Sequence, residues 1–207
     1  MFKKERKLHF KVTVSDRLFD SRIAKLRARN IGEALLPYLK SGDEVLDFGC
    51  GSMTVARHII SKKKVKITGV DVVDYLKEDF KFIKYDGGKL PFKNDSFDTV
   101  IAAFVLHHTE NPEFYLKELK RVSRKKIILM EDTYKNFLEK ALTYIVDFIA
   151  NKMIHSGVKV PFNFKSISEW RELFKKHKLK LTKMKRFYSH YHFILPTRNV
   201  IMILKKR

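Results

Sequence analysis

Short apolar runs alternate along this chain with longer stretches of helical periodicity. Residues 15–40 carry apolar positions at helix spacing (Leu18, Ile23, Leu26, Ile31, Leu35) and end near Pro37 and Gly42. EVLDF then reads as a buried strand, and MTVARHIIS as a helix after a glycine turn. KVKITGVD, FKFIKYD, FDTVIAAFVLHH and KKIILMED read as strands two to five, the fourth ending in its two histidines. NPEFYLKELKRVS predicts a helix with Asn111 as N-cap and Pro112 at its first position. A wide apolar helix is expected over 136–154. SISEWRELFKKHK follows as a helix capped by Ser168 or Ser166, and LKLTKMKRF and NVIMILKK close the chain as strands.

This order predicts an α/β fold, a doubly wound seven-stranded sheet with helices on both faces. The connection 188–197 is too short for a helical crossover, so the last strand should run antiparallel. The expected organisation is one domain over 1–207, with a helical cap at 15–40 and a lid-like insertion at 132–165.

Composition narrows the class. Hydrophobic content of 44% and charged content of 32% belong to a folded chain. No apolar run approaches the roughly 20 residues needed to span a bilayer. MFKKERKLHF has no apolar stretch after it, so no secretory signal is expected. Cys50 is the only cysteine, which excludes an internal disulfide. A cytoplasmic protein is predicted. The net charge of +21 invites a nucleic-acid or anionic-membrane partner. Its bases are spread over KKERK, KKK, RKK and the lysines of 171–186, which disfavours a dedicated nucleic-acid site. Abundant lysine and the absence of glutamine suit a thermophile, or an AT-rich genome.

The chemistry concentrates at DEVLDFGCGSM, residues 43–53. A dinucleotide fingerprint needs a further glycine where Thr54 stands, and no phosphate-cradling Lys-Ser/Thr pair follows. Gly49 and Gly51 permit close backbone approach to a ligand. Asp71, twenty residues past Gly51, ends the second strand where a carboxylate can accept both ribose hydroxyls. Asp86, in YDGG, can reach an exocyclic amine of an adenine, or serve the geometry of its own turn. These residues together suit an adenosine. No metal is expected.

VLDFGCGSM, GVD, YDGGKLPFKNDSFD and AAFVLHH, in this order, resemble the class I S-adenosylmethionine-dependent methyltransferases, in particular their small-molecule group. The resemblance covers about residues 40–131 and implies a Rossmann-like seven-stranded sheet whose final strand is antiparallel. It implies S-adenosyl-L-methionine as cofactor. Asp47, Gly49, Cys50 and Gly51 would line its methionine half, Asp71 and Val72 the ribose, Asp86 and Gly87 the adenine edge, and Ala103 and Phe104 the sulfonium. Met53 stands where the family usually has glycine, so a side chain is expected there, packed beside the ligand. The segment VVDYLKED is short for the helix usual between strands two and three. Cys50 lacks the Pro-Cys setting of a covalent methyltransferase nucleophile.

His107 and His108 are the candidate catalytic residues, as base or acceptor contact, against a role in packing or capping the strand end. The acceptor should be small and apolar or amphipathic. The front helix and the insertion would cover it, through Phe137, Ala141, Leu142, Ile145, Phe148, Ile149 and Ile154, unless that face completes the core. Tyr144, His155 and YSHYHF (188–193) could orient it. The alternative is a tRNA or rRNA methyltransferase using the same cofactor site. AAFV stands where amino-directed nucleobase enzymes carry Asn/Asp-Pro-Pro-Tyr/Phe, which argues against it. A third reading is a non-catalytic cofactor-binding module, disfavoured because the acidic contacts are intact.

Overall fold

The computed structural model describes residues 22–75, 80–154, 161, 163–187 and 198–206. Seven strands form one sheet: β1 (Glu44–Phe48), β2 (Lys66–Asp71), β3 (Phe82–Lys84), β4 (Phe97–Ala103), β5 (Ser123–Thr133), β6 (Leu179–Phe187) and β7 (Arg198–Lys206). Their order is β3-β2-β1-β4-β5-β7-β6. The first five are parallel, β7 is antiparallel to β5, and β6 is antiparallel to β7. The short connection before β7 has the consequence expected of it: the last pair forms an antiparallel edge.

The helices are α1 (Arg22–Leu35), α2 (Thr54–Lys62), α3 (Pro112–Val122), α4 (Phe137–Ile154) and α5 (Ile167–Lys176). Alternation along each strand sends neighbouring side chains to opposite faces. Val45, Ile67, Ile101, Ile128 and Ile203 pack with Ile31 and Leu35 of α1 and Ala56 and Ile59 of α2. Leu46, Val100, Leu129 and Leu204 pack on the other face with Leu116 and Leu119 of α3 and Trp170 and Phe174 of α5. Both faces of the parallel strands are covered, so these strands are apolar almost throughout.

Local chemistry sets the boundaries. Asn111 accepts from the Phe114 N–H at 2.9 Å and caps α3 ahead of Pro112. Ser166, not Ser168, caps α5, in a capping box with Glu169. The front helix ends at Leu35 and continues as a 3-10 turn through Pro37, and residues 15–21 lie outside the described residues.

The fourth strand is shorter than its apolar run suggested. It stops at Ala103 because Phe104 adopts a left-handed conformation, φ +56, while its N–H donates to Met130 O at 2.7 Å. The two histidines therefore lie beyond the strand, in a 3-10 turn over Leu106–His108.

Helix α4 does not complete the core with its apolar side: Phe137, Leu142, Ile145 and Phe148 are exposed. Its polar side holds it in place. Glu139 takes Arg198 of β7 in a two-point pair at 2.7 and 2.9 Å, and Thr143 is buried. The side chains of Ile149 and Ile154, His155 and the whole of 188–193 lie outside the described residues.

Ser166→Ala removes the reciprocal cap of α5 and should cost about 1 kcal/mol of stability. Urea denaturation checks this; an unchanged midpoint would show that the cap is dispensable.

Candidate cofactor site

The carboxyl ends of β1, β2 and β4 meet where strand order reverses, between β1 and β4, the usual ligand crevice of an open α/β sheet. Beyond Phe48 the chain turns through Gly49 (φ +68), whose N–H donates to Val70 O at 2.9 Å. A Cβ there would stand 2.2 Å from Val105 Cγ2, so the residue is glycine for space as well as for backbone. Gly51 (φ +51) donates its N–H to Asp71 Oδ2 at 2.8 Å. Asp71 Oδ1 accepts from the Val73 N–H at 3.2 Å. A carboxylate has about four acceptor positions, so these two loop amides do not by themselves fill it.

Met53 is a correction to the expectation of a side chain beside the ligand. It takes a left-handed conformation, φ 55, just ahead of α2, which accounts for glycine being usual there. Its side chain is wholly buried in the core shared with α1 and α2. The room comes from Gly69 of β2, where a Cβ would lie 2.6 Å from Met53 Sδ and 2.7 Å from Cys50 Sγ. A glycine in the neighbouring strand thus compensates for the one missing in the turn.

Asp47, buried near the end of β1, is pushed up to about 7 by burial and by the negative charge of Asp71. Burial and the same two carboxylates also raise the Cys50 thiol, so it stays protonated and is no nucleophile at neutral pH.

On the β3 side, Val72 is half exposed near Gly87, with Val72 Cγ1 3.6 Å from a Cβ placed on that glycine (φ +84). Asp86 is exposed and its Oδ1 accepts from the Gly88 N–H at 2.9 Å, an Asx turn. Tyr115 of α3 donates its hydroxyl to Gly87 O, and its ring lies 5.3 Å from that of Phe48. Beside it, burial and then Tyr115 raise the Tyr85 phenol, which keeps its proton. Sequence reasoning missed Tyr115, which only the packing of α3 brings to this turn.

On the β4 side, Ala103 pairs with Met130 and Phe104 turns out of the strand, with the Arg27 guanidinium of α1 lying 5.1 Å from its ring centroid. His107 is buried and its Nδ1 lies 2.5 Å from Glu131 Oε2. Glu131, wholly buried in β5, takes the Leu106 N–H on its other oxygen at 2.8 Å. The Phe164 ring stacks on His107 at 4.7 Å, and the Asn163 N–H donates to His107 O at 2.7 Å. His107 therefore ties β5, the exit of β4 and the segment before α5 together. His108, partly exposed, lies 4.0 Å from it, ring centre to ring centre. Glu131 escaped notice in the sequence because it sits inside an apolar run.

The site thus joins a glycine turn, an acid at the end of β2 and a buried acid on β1, with no third glycine to admit a pyrophosphate. Residues 46–130 match the family profile of a methyltransferase domain. A sterol 24-C-methyltransferase of Gibberella zeae is 32% identical over 140 residues, covering 57% of this chain and 35% of that one. A demethylmenaquinone methyltransferase of Tropheryma whipplei is 24% identical over 149 residues, covering 64% of this chain and 62% of that one. The chain thus spans about a third of the sterol enzyme and under two thirds of the menaquinone enzyme. A solved SAM-dependent methyltransferase of Thermotoga maritima shares the fold, with a TM-score of 0.64 at 20% identity over 94% of this chain and 99% of that one. The fold is that of the solved methyltransferase, and the matched segment, Leu46 to Met130, is similar to a methyltransferase domain.

Asp47 predicts a pH dependence. In the free protein its carboxyl titrates near 7, well above 3.8, so this group favours the fold least once it is ionised, and stability contributed here falls as pH rises from about 4 to about 7. A cationic ligand beside it favours the ionised form. Affinity for S-adenosylmethionine should therefore rise about tenfold from pH 6 to pH 8, with proton release on binding. Calorimetry in buffers of different ionisation enthalpy measures both. In Asp47→Asn the pH dependence should vanish.

Proposed function

We propose that this chain transfers the methyl group of S-adenosyl-L-methionine to a small apolar or amphipathic acceptor. The reading rests on the Gly51–Asp71 hydrogen bond, which locks the glycine turn to the end of β2 beside the reversal of strand order. Asp71 and Val72 hold the ribose. Asp86 and Gly87 meet the adenine edge; Asp47, Gly49, Cys50 and Gly51 line the methionine half; Ala103 and Phe104 flank the sulfonium. Two carboxylates at the turn suit hydroxyls and an ammonium, and would repel a pyrophosphate.

When bound, this cofactor supplies a methyl group on a sulfonium, already a good leaving group. The protein's part is to align the acceptor and keep water away. Of the two histidines, we assign to His108, the more exposed, contact with the acceptor or removal of its proton. His107, held by Glu131, positions it. We read the chain as one domain working in the cytoplasm, with α1 and α4 as the elements added around the cofactor site. The acceptors named for the relatives, sterols and demethylmenaquinone, support an apolar ligand.

A second reading keeps some support. Lys25, Arg29 and Arg57 line a depression between α1 and α2 with Thr54, His58 and Ser61, a surface suited to phosphates. An RNA substrate for the same cofactor site would use it.

Calorimetry should show binding of S-adenosylhomocysteine and none of NAD. Asp71→Ala should lose about 3–6 kcal/mol of that binding, two hydrogen bonds to a charged acceptor. Label from methyl-tritiated cofactor should enter apolar extracts, not RNA. Binding of NAD alone would end the methyltransferase reading, and RNA labelling at physiological salt would replace the acceptor.

A further inference from the structure

Helix α4 has its polarity reversed. At 100° per residue, Phe137, Leu138, Leu142, Tyr144, Ile145 and Phe148 fall within one arc of roughly 160°. That arc faces solvent: Phe137 is 85% exposed, Leu138 69% and Ile145 53%. On the opposite side Thr143 is buried and Glu139 is paired to Arg198, beside the half-buried Val146. A surface helix ordinarily does the opposite, burying its apolar stripe and wetting its charges. A contiguous exposed apolar arc of this kind marks an interaction surface.

We propose that the α4 arc docks on an anionic lipid surface. Charge selects this occupant. The chain carries +21 overall, and residues 134–165 hold five lysines against two carboxylates. One of those carboxylates, Glu139, is already neutralised by Arg198. Lys140 borders the arc, with its ammonium 5.1 Å from the Tyr134 ring centroid. An apolar helix side with a lysine at its border, in a strongly basic chain, settles at the headgroup boundary, where apolar burial and attraction to anionic lipid add. No described helix is long and apolar enough to cross the membrane, so the contact is with its surface.

The placement also serves the acceptor, in the one respect that rests on the methyl-transfer reading. Helix α4 follows the carboxyl end of β5, the edge that carries the cofactor site. An apolar acceptor dissolved in the bilayer would reach the site from that edge.

Vesicle flotation with purified full-length chain tests the surface. Phosphatidylcholine vesicles containing about a third phosphatidylglycerol should carry at least tenfold more protein than phosphatidylcholine alone. The variant L138E/I145E should lose that association, while its circular dichroism and its calorimetric affinity for S-adenosylhomocysteine stay unchanged. Leu138→Ala, a milder change, should lose it partly. Equal flotation of wild type and L138E/I145E, or none on anionic vesicles, overturns the proposal. So does a concentration-dependent dimer in sedimentation that L138E/I145E abolishes, since a second copy would then own the face. Cofactor affinity is read separately, so failure of lipid docking and failure of the methyl-transfer reading cannot be confused.

Discussion

The hydrogen bond from the Gly51 amide to the Asp71 carboxylate organises the functional end of the molecule. It connects two strand ends separated by twenty residues of chain, and Gly51 makes it from a left-handed conformation. Around it the other constraints close in turn. Gly49 must lack a side chain for Val105 to approach, and Gly69 must lack one for Met53 and Cys50 to fit beneath the turn. Burial, and then the acid that the turn holds, raise the proton affinity of Asp47.

A second tie organises the opposite wall. Glu131 divides its carboxylate between the Leu106 amide and the His107 ring, and Phe164 covers that ring. A buried carboxylate is tolerated only when both of its oxygens are satisfied. Here the partners come from the turn after β4, so the acid of one strand dictates the path of the chain leaving another. The consequence is that the two histidines have different situations. His107 is enclosed, whereas His108 is left partly exposed.

The same edge shows why burial and function separate in this protein. Strands β1, β4 and β5 are apolar on both faces because helices cover both. Helix α4 has a comparable apolar content but is attached through an ion pair to β7 and keeps its apolar arc outward.

Much of this could be read from residue order. Element types followed from period and turn chemistry: the glycine turn, the cap at Asn111, a serine cap for α5 left between Ser166 and Ser168, and the antiparallel final pair forced by a short connection. These depend on neighbours within a few residues, or on chain length, which sequence states directly. What lay beyond it were contacts between segments distant in the chain: Tyr115 on Gly87, Arg27 over Phe104, Glu131 on His107, and Gly69 making room for Met53. The end of β4 belongs with these, because an apolar run cannot reveal that Phe104 turns left-handed to bond Met130. So does the orientation of α4: periodicity defines an apolar arc, but only the Glu139–Arg198 pair across the fold decides that it faces out.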